Sequence, residues 1–480
     1  MSLSSIDYLV IGVYLVAITA FGSWFARYQK TTRDYFLTGR SIPWWAICFT
    51  IVATETSTLT FIGIPATAYA GNMTFLQLAI GYVIGRVLVS VLFIPAYFRG
   101  ELFTSYELLQ RRFGTRVKTL AAIIFLITRS LADGIRLFTT ALVISVVTPL
   151  PVTWVVVVLG AAMIVYTMRG GVSAVIWTDV VQMFVYIAGA GAVAIALLNR
   201  IPGGWEEVVR VGRETGRFAV IDVSLDLTKA YTLWAGVFGG VALTLATHGT
   251  DQFLVQRLLS ARGARDAARG LILSGFIVFA QFVLFLLIGV MLYTYYLHAP
   301  LPQTLARTDQ ILPVFVVNEL SHGLAGFIVA AIVAAALSPS LNAMAATTVS
   351  DFYLPYINPT ADQATQMRVS KQATVAWGIV QLAVAIGAQF MERSVLDAGL
   401  AVLGFASGAV LGAFLLGTLV PSVTERDTFA GMIAGLIVMT GVWWGTSIAF
   451  TWYVLIGSVT TCVVALLCSL VRPRLAPAVF

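Results

Sequence analysis

Glu55 stands inside a long apolar run, preceded by Thr54 and followed by Thr56, Ser57, Thr58 and Thr60. A carboxylate in hydrocarbon is costly, so it is expected to face a bundle interior or a watery cavity, where it can meet a polar ligand. The hydroxyls alone have a plainer reading, because Ser and Thr bond back to their own helix. A second run holds Arg129, Asp133 and Arg136, with Asp133 spaced to pair with either arginine across a helical turn. Pairing answers the desolvation of both charges without any ligand; an arginine left over presents a planar fork suited to a carboxylate.

Three further groups break apolar runs. Asp179 follows Gly170-Gly171 and lies beyond Arg169, so it reads as a helix-end or ion-pair carboxylate or as a functional one. Thr247-His248-Gly249-Thr250-Asp251-Gln252 precedes Arg257. Gly249 there permits a helix break, and His248, with no second His or Cys at ligand spacing, is expected to be a hydrogen-bonded interior histidine. The stretch from Ala334 to Ala343 contains Ser338-Pro339-Ser340. Pro339 removes the bond to the Ala335 carbonyl, and that oxygen beside two hydroxyls could ligate a hard cation such as Na+. None of these groups forms a His pair, a Cys cluster, a phosphate-binding loop or a nucleophile motif, so an enzyme is not expected. An intramembrane enzyme would have to use Asp179, His248 or Asp251 as acid or base.

The elements that carry these residues follow from composition. Of 480 residues, 59% are apolar and 11% charged, and the mean hydropathy is +0.91. That excludes a soluble enzyme, a disordered scaffold and a disulfide-stapled secreted domain. Apolar runs lie near 5–26, 43–71, 74–98, 118–148, 150–168, 174–199, 232–257, 271–296, 323–348, 372–391, 395–420, 428–450 and 452–471. Runs of about 20 residues suffice to cross a bilayer, which predicts an all-α membrane protein of about thirteen spans. Connections of one parity carry 19 Lys and Arg against 7 on the other, so the N-terminus is expected outside and the C-terminus inside. The same bias explains the net charge of +7 without nucleic acid. No basic residue precedes the first run, which reads as a span and not as a cleaved signal. Cys48, Cys462 and Cys468 lie in apolar runs and act as small hydrophobic residues. The longest polar connections, 200–231 and 297–322, are too short for separate domains, and the tail after 471 is too short for a signalling output.

Several stretches together resemble the sodium/solute symporter family, which includes the sodium/glucose, sodium/pantothenate and sodium/sialic acid cotransporters. They are Gly39-Arg40 with Trp44-Trp45, Phe61 to Pro65, Gly170-Gly171 through Gln182, Thr250-Asp251-Gln252 through Gln256-Arg257, and Asn342 to Asp351. The resemblance implies a ten-helix inverted-repeat core formed by spans 2–11, with residues 43–199 as one repeat and 232–420 as the other, two added spans over 428–472, and breaks in spans 2 and 7. It implies one Na+ held by Ala53 and Thr56 of span 2 with Ala335 and Ser338 of span 9, and in some relatives a second held by Asp179 with Ser338 and Ser340. One departure stands out: span 9 is about three residues shorter than the family pattern, which turns a helix by about 300°. The substrate site is expected at Glu55, Ser57 and Thr60, with Phe75 and Gln77 of span 3 and Arg136 of span 4. Glu55 and Arg136 are expected to pair when the site is empty.

These expectations combine into a Na+-coupled transporter of the cell membrane that imports a small polar organic solute by alternating access, the arginine of span 4 leaning toward an acidic one. Na+ is the coupling ion and no organic cofactor is expected. Its partners would be the solute and the bilayer, without nucleic acid, as a monomer or loose homo-oligomer. A proton-coupled or uncoupled transporter of the same fold is the nearest alternative, with Glu55 or Asp179 as the titrating group.

Overall fold

The structure, a computed structural model, describes residues 3–471 apart from 101, 302–304, 306–307, 337–339 and 391–394. The described residues are helical nearly throughout. Their one β-bridge joins Ile42 to Ala261. The helices used below are α1 (Ser5–Trp24), α2 (Trp44–Glu55), α3 (Thr58–Ala70), α4 (Leu76–Leu92), α5 (Thr115–Val147), α6 (Val152–Arg200), α7 (Gly204–Glu214), α8 (Gly240–Gly249), α9 (Gln252–Leu259), α10 (Ala264–His298), α11 (Leu324–Ala336), α12 (Leu341–Thr347) and α13 (Gln363–Gly387), followed by α14 (Val395–Leu419), α15 (Glu425–Gly445) and α16 (Tyr453–Val471).

Each of the thirteen apolar runs is helical over most of its described residues. Six helices among the described residues are long and apolar enough to cross a membrane, and the bent pair α2 and α3 would make a seventh. Shorter apolar helices occupy the runs at Leu76–Leu92, Ala235–Gly249, Leu324–Ala335 and Gly404–Leu419. In α5 the charges at 129, 133 and 136 interrupt the apolar stretch. Burial follows the logic of a bilayer solvent: Leu9, Val16 and Trp444 are exposed, while Arg86, Asp179, Arg257 and Asp351 are buried.

Three interruptions shape the interior. Between α2 and α3 the chain leaves helical geometry at Thr56 (φ −81°, ψ 82°) and Ser57 (φ −87°, ψ 172°), and the two arms diverge by 57°. No proline or glycine causes this break. The hydroxyls compete for the backbone instead: Thr56 Oγ1 donates to the Val52 carbonyl at 2.8 Å and Thr60 Oγ1 to the Glu55 carbonyl at 3.1 Å. The second interruption follows Gly249, as expected from sequence, where Asp251 takes extended geometry and caps α9 by accepting from the Phe253 amide at 2.9 Å. The third lies between α11 and α12; Ser338 and Pro339, which fall there, lie outside the described residues.

Helix α6 joins two of the apolar runs through a bend at Gly171 (φ 56°, ψ −156°). Only glycine adopts that conformation readily, and a Cβ there would stand 2.6 Å from the Tyr35 carbonyl oxygen. Around this core, α10 packs against α2, α3 and α4, α13 against α5 and α6, and α14, α15 and α16 against one another.

Candidate solute-binding cavity

A cavity of about 140 Å³ opens at the break between α2 and α3. Glu55, Ser57 and Thr60 line it from the break, Phe75 from the N-cap of α4 and Arg136 from α5, so five of the six residues expected at the substrate site meet there. Gln77 does not line it. Two residues beyond Phe75, it points about 200° away around the helix. Its amide instead donates to the Tyr231 carbonyl at 3.1 Å and accepts from the Asp222 amide at 3.1 Å, tying the 220–231 connection to α4. Aromatic rings make the apolar wall: the Phe75 and Phe282 rings sit edge-to-face, 5.1 Å apart, with Tyr82 alongside.

The charged groups around the cavity sort into pairs that sequence spacing could not assign. Glu55 is bonded by Arg86, which is fully buried in α4 and which the sequence reading did not place in the site. The expected Glu55–Arg136 pair is not formed. His248 joins the Glu55–Arg86 pair, with Nε2 3.4 Å from Arg86 Nη2 and 3.8 Å from Glu55 Oε1, as the interior histidine expected from sequence. Arg129 holds two carboxylates, Asp133 at 3.5 Å and Asp251. Arg257 holds Asp179 at 3.0 Å and also donates to Thr50 Oγ1 at 3.1 Å and to the Phe253 carbonyl at 2.7 Å.

Arg136 differs from the other three arginines. Among the described residues it has no carboxylate within ion-pair distance; its Nη2 donates to the Thr54 carbonyl at 3.3 Å, and its buried Nη1 has no hydrogen-bond partner. Arg86 Nε and Nη1 and Arg129 Nε also lack partners, so what sets Arg136 apart is that no carboxylate engages it at the cavity wall. The formal charges nevertheless cancel: Arg86, Arg129, Arg136 and Arg257 face Glu55, Asp133, Asp179 and Asp251. The surplus carboxylate beside Arg129 is what opposes Arg136.

The described residues expected at Na+ sites fall into three neighbourhoods. Ala53 and Thr56 lie buried at the break, and Ala335 is buried in α11. Thr58 brings the two elements together, its hydroxyl donating to the carbonyl of Ile332, one turn before Ala335, at 3.1 Å. Thr56 Oγ1 accepts from Gln281 Nε2 at 2.6 Å while donating to Val52, which leaves it one lone pair. Ser340 belongs elsewhere: its amide donates to Asp133 Oδ2 at 3.2 Å and its hydroxyl accepts from Gln381 Nε2 at 3.3 Å. Asp179 accepts from Thr50 at 2.5 Å and from Thr54 at 3.4 Å, besides Arg257. The hydrogen bonds thus divide Asp179 and Ser340 between separate clusters. Among the described residues no group of three or more His, Cys, Asp or Glu side chains could hold a metal ion; Ala53, Thr56 and Ala335 offer neutral oxygens.

Comparisons with known proteins bear on this arrangement. A model of the sodium:solute symporter family matches residues 35–435. The sodium/sialic acid symporter NanT of Aliivibrio fischeri is 31% identical over 480 residues, covering 97% of this chain and 93% of its own. The human sodium/iodide cotransporter is 30% identical over 447 residues, covering 90% of this chain and 68% of its own. A solved structure of a Na+-coupled sialic acid symporter, substrate-bound and outward-open, superposes with a TM-score of 0.91 at 28% identity over 98% of both chains. Mhp1, a nucleobase-cation-symport-1 transporter, shares the fold at a TM-score of 0.61 and 12% identity.

Proposed function

The chain belongs to the sodium:solute symporter family, and from that membership we propose that it carries a small carboxylic acid inward with Na+ by alternating access across the cell membrane. The observation that carries the choice of solute is that Arg136 lines the cavity and is engaged by no carboxylate among the described residues, while the other three arginines are. A substrate carboxylate supplies the acceptor that Arg136 lacks, and Ser57 and Thr60 offer hydroxyls beside it.

Charge balance supplies the coupling. The empty cluster is neutral, so a monocarboxylate entering alone leaves it at −1, and one Na+ restores neutrality. Two unit charges about 10 Å apart at an effective dielectric of about 20 attract by about 1.7 kcal/mol, so each ligand raises the other's affinity roughly 15-fold. We place that Na+ at Ala53, Thr56 and Ala335 with Ser338; the second position implied by the resemblance, Asp179 with Ser338 and Ser340, is not carried forward, because hydrogen bonds hold Asp179 and Ser340 in separate clusters. The spans number thirteen in this reading, N-terminus outside and C-terminus inside, with 43–199 and 232–420 rocking against each other and 428–472 outside that core. Proton coupling through Glu55 or Asp179 is disfavoured, because neutralising either would strand the arginine bonded to it.

Thermal unfolding of the purified protein against a panel of acids, sugars and amino acids, in NaCl and in choline chloride, tests the proposal. Stabilisation by a carboxylic acid in NaCl alone is the expected result. Stabilisation by neutral sugars and by no acid, or by an acid equally in both salts, would overturn it.

A further inference from the structure

The connection before span 7 is polar for most of its length, yet near its end it turns four aliphatic side chains outward: Ile221, Val223, Leu225 and Leu227 are between 48% and 77% exposed. Asp222 and Ser224 between them are half-buried, which is the period of an extended chain with one edge facing out. We propose that this edge docks on the membrane: residues 221–227 lie along the lipid–water boundary, with the four aliphatic side chains against lipid of the outer leaflet in the topology proposed above.

The segment is pinned to the spans along its length. The Met73 amide donates to the Ala219 carbonyl at 3.1 Å, the Asp222 amide to Gln77 Oε1 at 3.1 Å and the Leu233 amide to the Asp222 carbonyl at 2.7 Å. Farther along, Trp234 Nε1 donates to the Val223 carbonyl at 3.1 Å and the Ala449 amide to the Leu227 carbonyl at 2.9 Å. These partners belong to the start of α4, the start of span 7 and the turn between α15 and α16. The carboxylates are satisfied inside the segment: Asp222 accepts from the Ser224 amide at 2.8 Å and from Lys229 Nζ at 3.2 Å, and Asp226 from the Thr228 amide at 2.9 Å and hydroxyl at 2.7 Å. What the segment presents outward is therefore a fixed aliphatic edge, a surface that proteins rarely leave in water.

Continuity with span 7 names the occupant. Trp234, bonded to Val223, stacks on Phe238 one turn later, with ring centroids 6.4 Å apart and planes 11° from parallel, and both rings are exposed. Beyond Phe238 the same face continues through Ile84 of span 3 and Val459 and Val463 of span 13, all exposed. Aliphatic side chains exposed along spans face hydrocarbon, and tryptophan at a span's end marks the headgroup level. The four side chains extend that lipid-facing surface past the end of span 7. At the other end of the segment the Tyr231 ring packs on Phe75 at 5.1 Å, which ties it to the cavity wall.

The test uses the full-length protein in phosphatidylcholine vesicles, with an environment-sensitive fluorophore on Leu225→Cys in a background of Cys462→Ala and Cys468→Ala. The same label on Arg213→Cys, an exposed position of α7, is the water-facing control, and Val223→Cys is the second position should Leu225→Cys fail to fold. Quenching is read with a nitroxide on the lipid acyl chain and with iodide on both sides of the membrane. The nitroxide lipid is expected to cut emission at 225 at least about twofold and leave 213 unchanged, while iodide quenches 225 at least about threefold less than 213. Iodide quenching equal at the two positions would mean that the segment stands in water. Shielding from both quenchers would mean that a second copy of the chain covers it. Either result overturns the proposal, and because no solute enters the measurement, neither bears on the carboxylic-acid reading.

Discussion

Arg257 Nη2 donates to the Asp179 carboxylate at 3.0 Å, and neither side chain reaches solvent. The contact ties α9 to α6, and through Thr50 to α2. Removing one member of a buried pair strands the other, so Asp179→Asn and Arg257→Met are each expected to cost about 3–5 kcal/mol. The double variant strands no charge and recovers part of the loss. Thermal unfolding of the four proteins checks this, and a double variant whose loss equals the sum of the singles would count against coupling between the two residues.

The four arginines are expected to separate into two kinds. Arg86→Met and Arg129→Met strand carboxylates and should destabilise the protein by about 3–5 kcal/mol. Arg136→Met leaves every carboxylate bonded to an arginine and removes only the charge that balances the surplus one beside Arg129, so it should cost less stability than the other two, while affinity for the carboxylate falls about tenfold or more. Unfolding temperature and ligand titration on the same preparations distinguish the two.

Gly171 sets the bend of α6, and both its φ of 56° and the nearness of the Tyr35 carbonyl oppose a side chain. Gly171→Ala should cost about 1–3 kcal/mol. Gly191 lies in the same helix with open space around it, so Gly191→Ala is the matched control and should be neutral or stabilising. A comparable loss at both positions would mean that the bend is not what Gly171 protects.

Outside the spans, α7 docks on the end of α10 through Glu207, which takes two bonds from Arg210 and one from His298 at 2.9 Å. These bonds hold its carboxyl down at about 2, below the ordinary 4.5. A carboxylate depressed in the folded state contributes stability above its unfolded value and loses it as pH falls toward the folded one. Glu207→Gln should therefore lower stability slightly at neutral pH and flatten its decline between about pH 4.5 and 2. Unfolding measured across that range, wild type beside variant, reads the difference.

Much of this was legible in the sequence because hydrocarbon makes polar residues conspicuous. The apolar runs became helices, the break followed Glu55, and Glu55, Ser57, Thr60, Phe75 and Arg136 all reached one cavity. The pairings were not legible. Glu55 had Arg86, Arg129 and Arg136 as possible partners in neighbouring runs, and only the packing of α4 against α8 beside the break selects Arg86 and His248. Helical phase explains the miss at Gln77, which shares a helix with the cavity wall but not its face. Asp133 illustrates a third limit: besides Arg129 it accepts the Ser340 amide, a partner 207 residues away that no local spacing announces.

On the proposed mechanism Na+ and a carboxylate enter together, the carboxylate held by Arg136. Uptake of a labelled monocarboxylate into proteoliposomes, driven by an inward Na+ gradient and repeated with Arg136→Met, is the decisive measurement. Accumulation above the external concentration that collapses without the Na+ gradient, and is lost in the variant although it remains folded, is the predicted result. Accumulation that persists without a Na+ gradient, or survives Arg136→Met unchanged, would contradict the account.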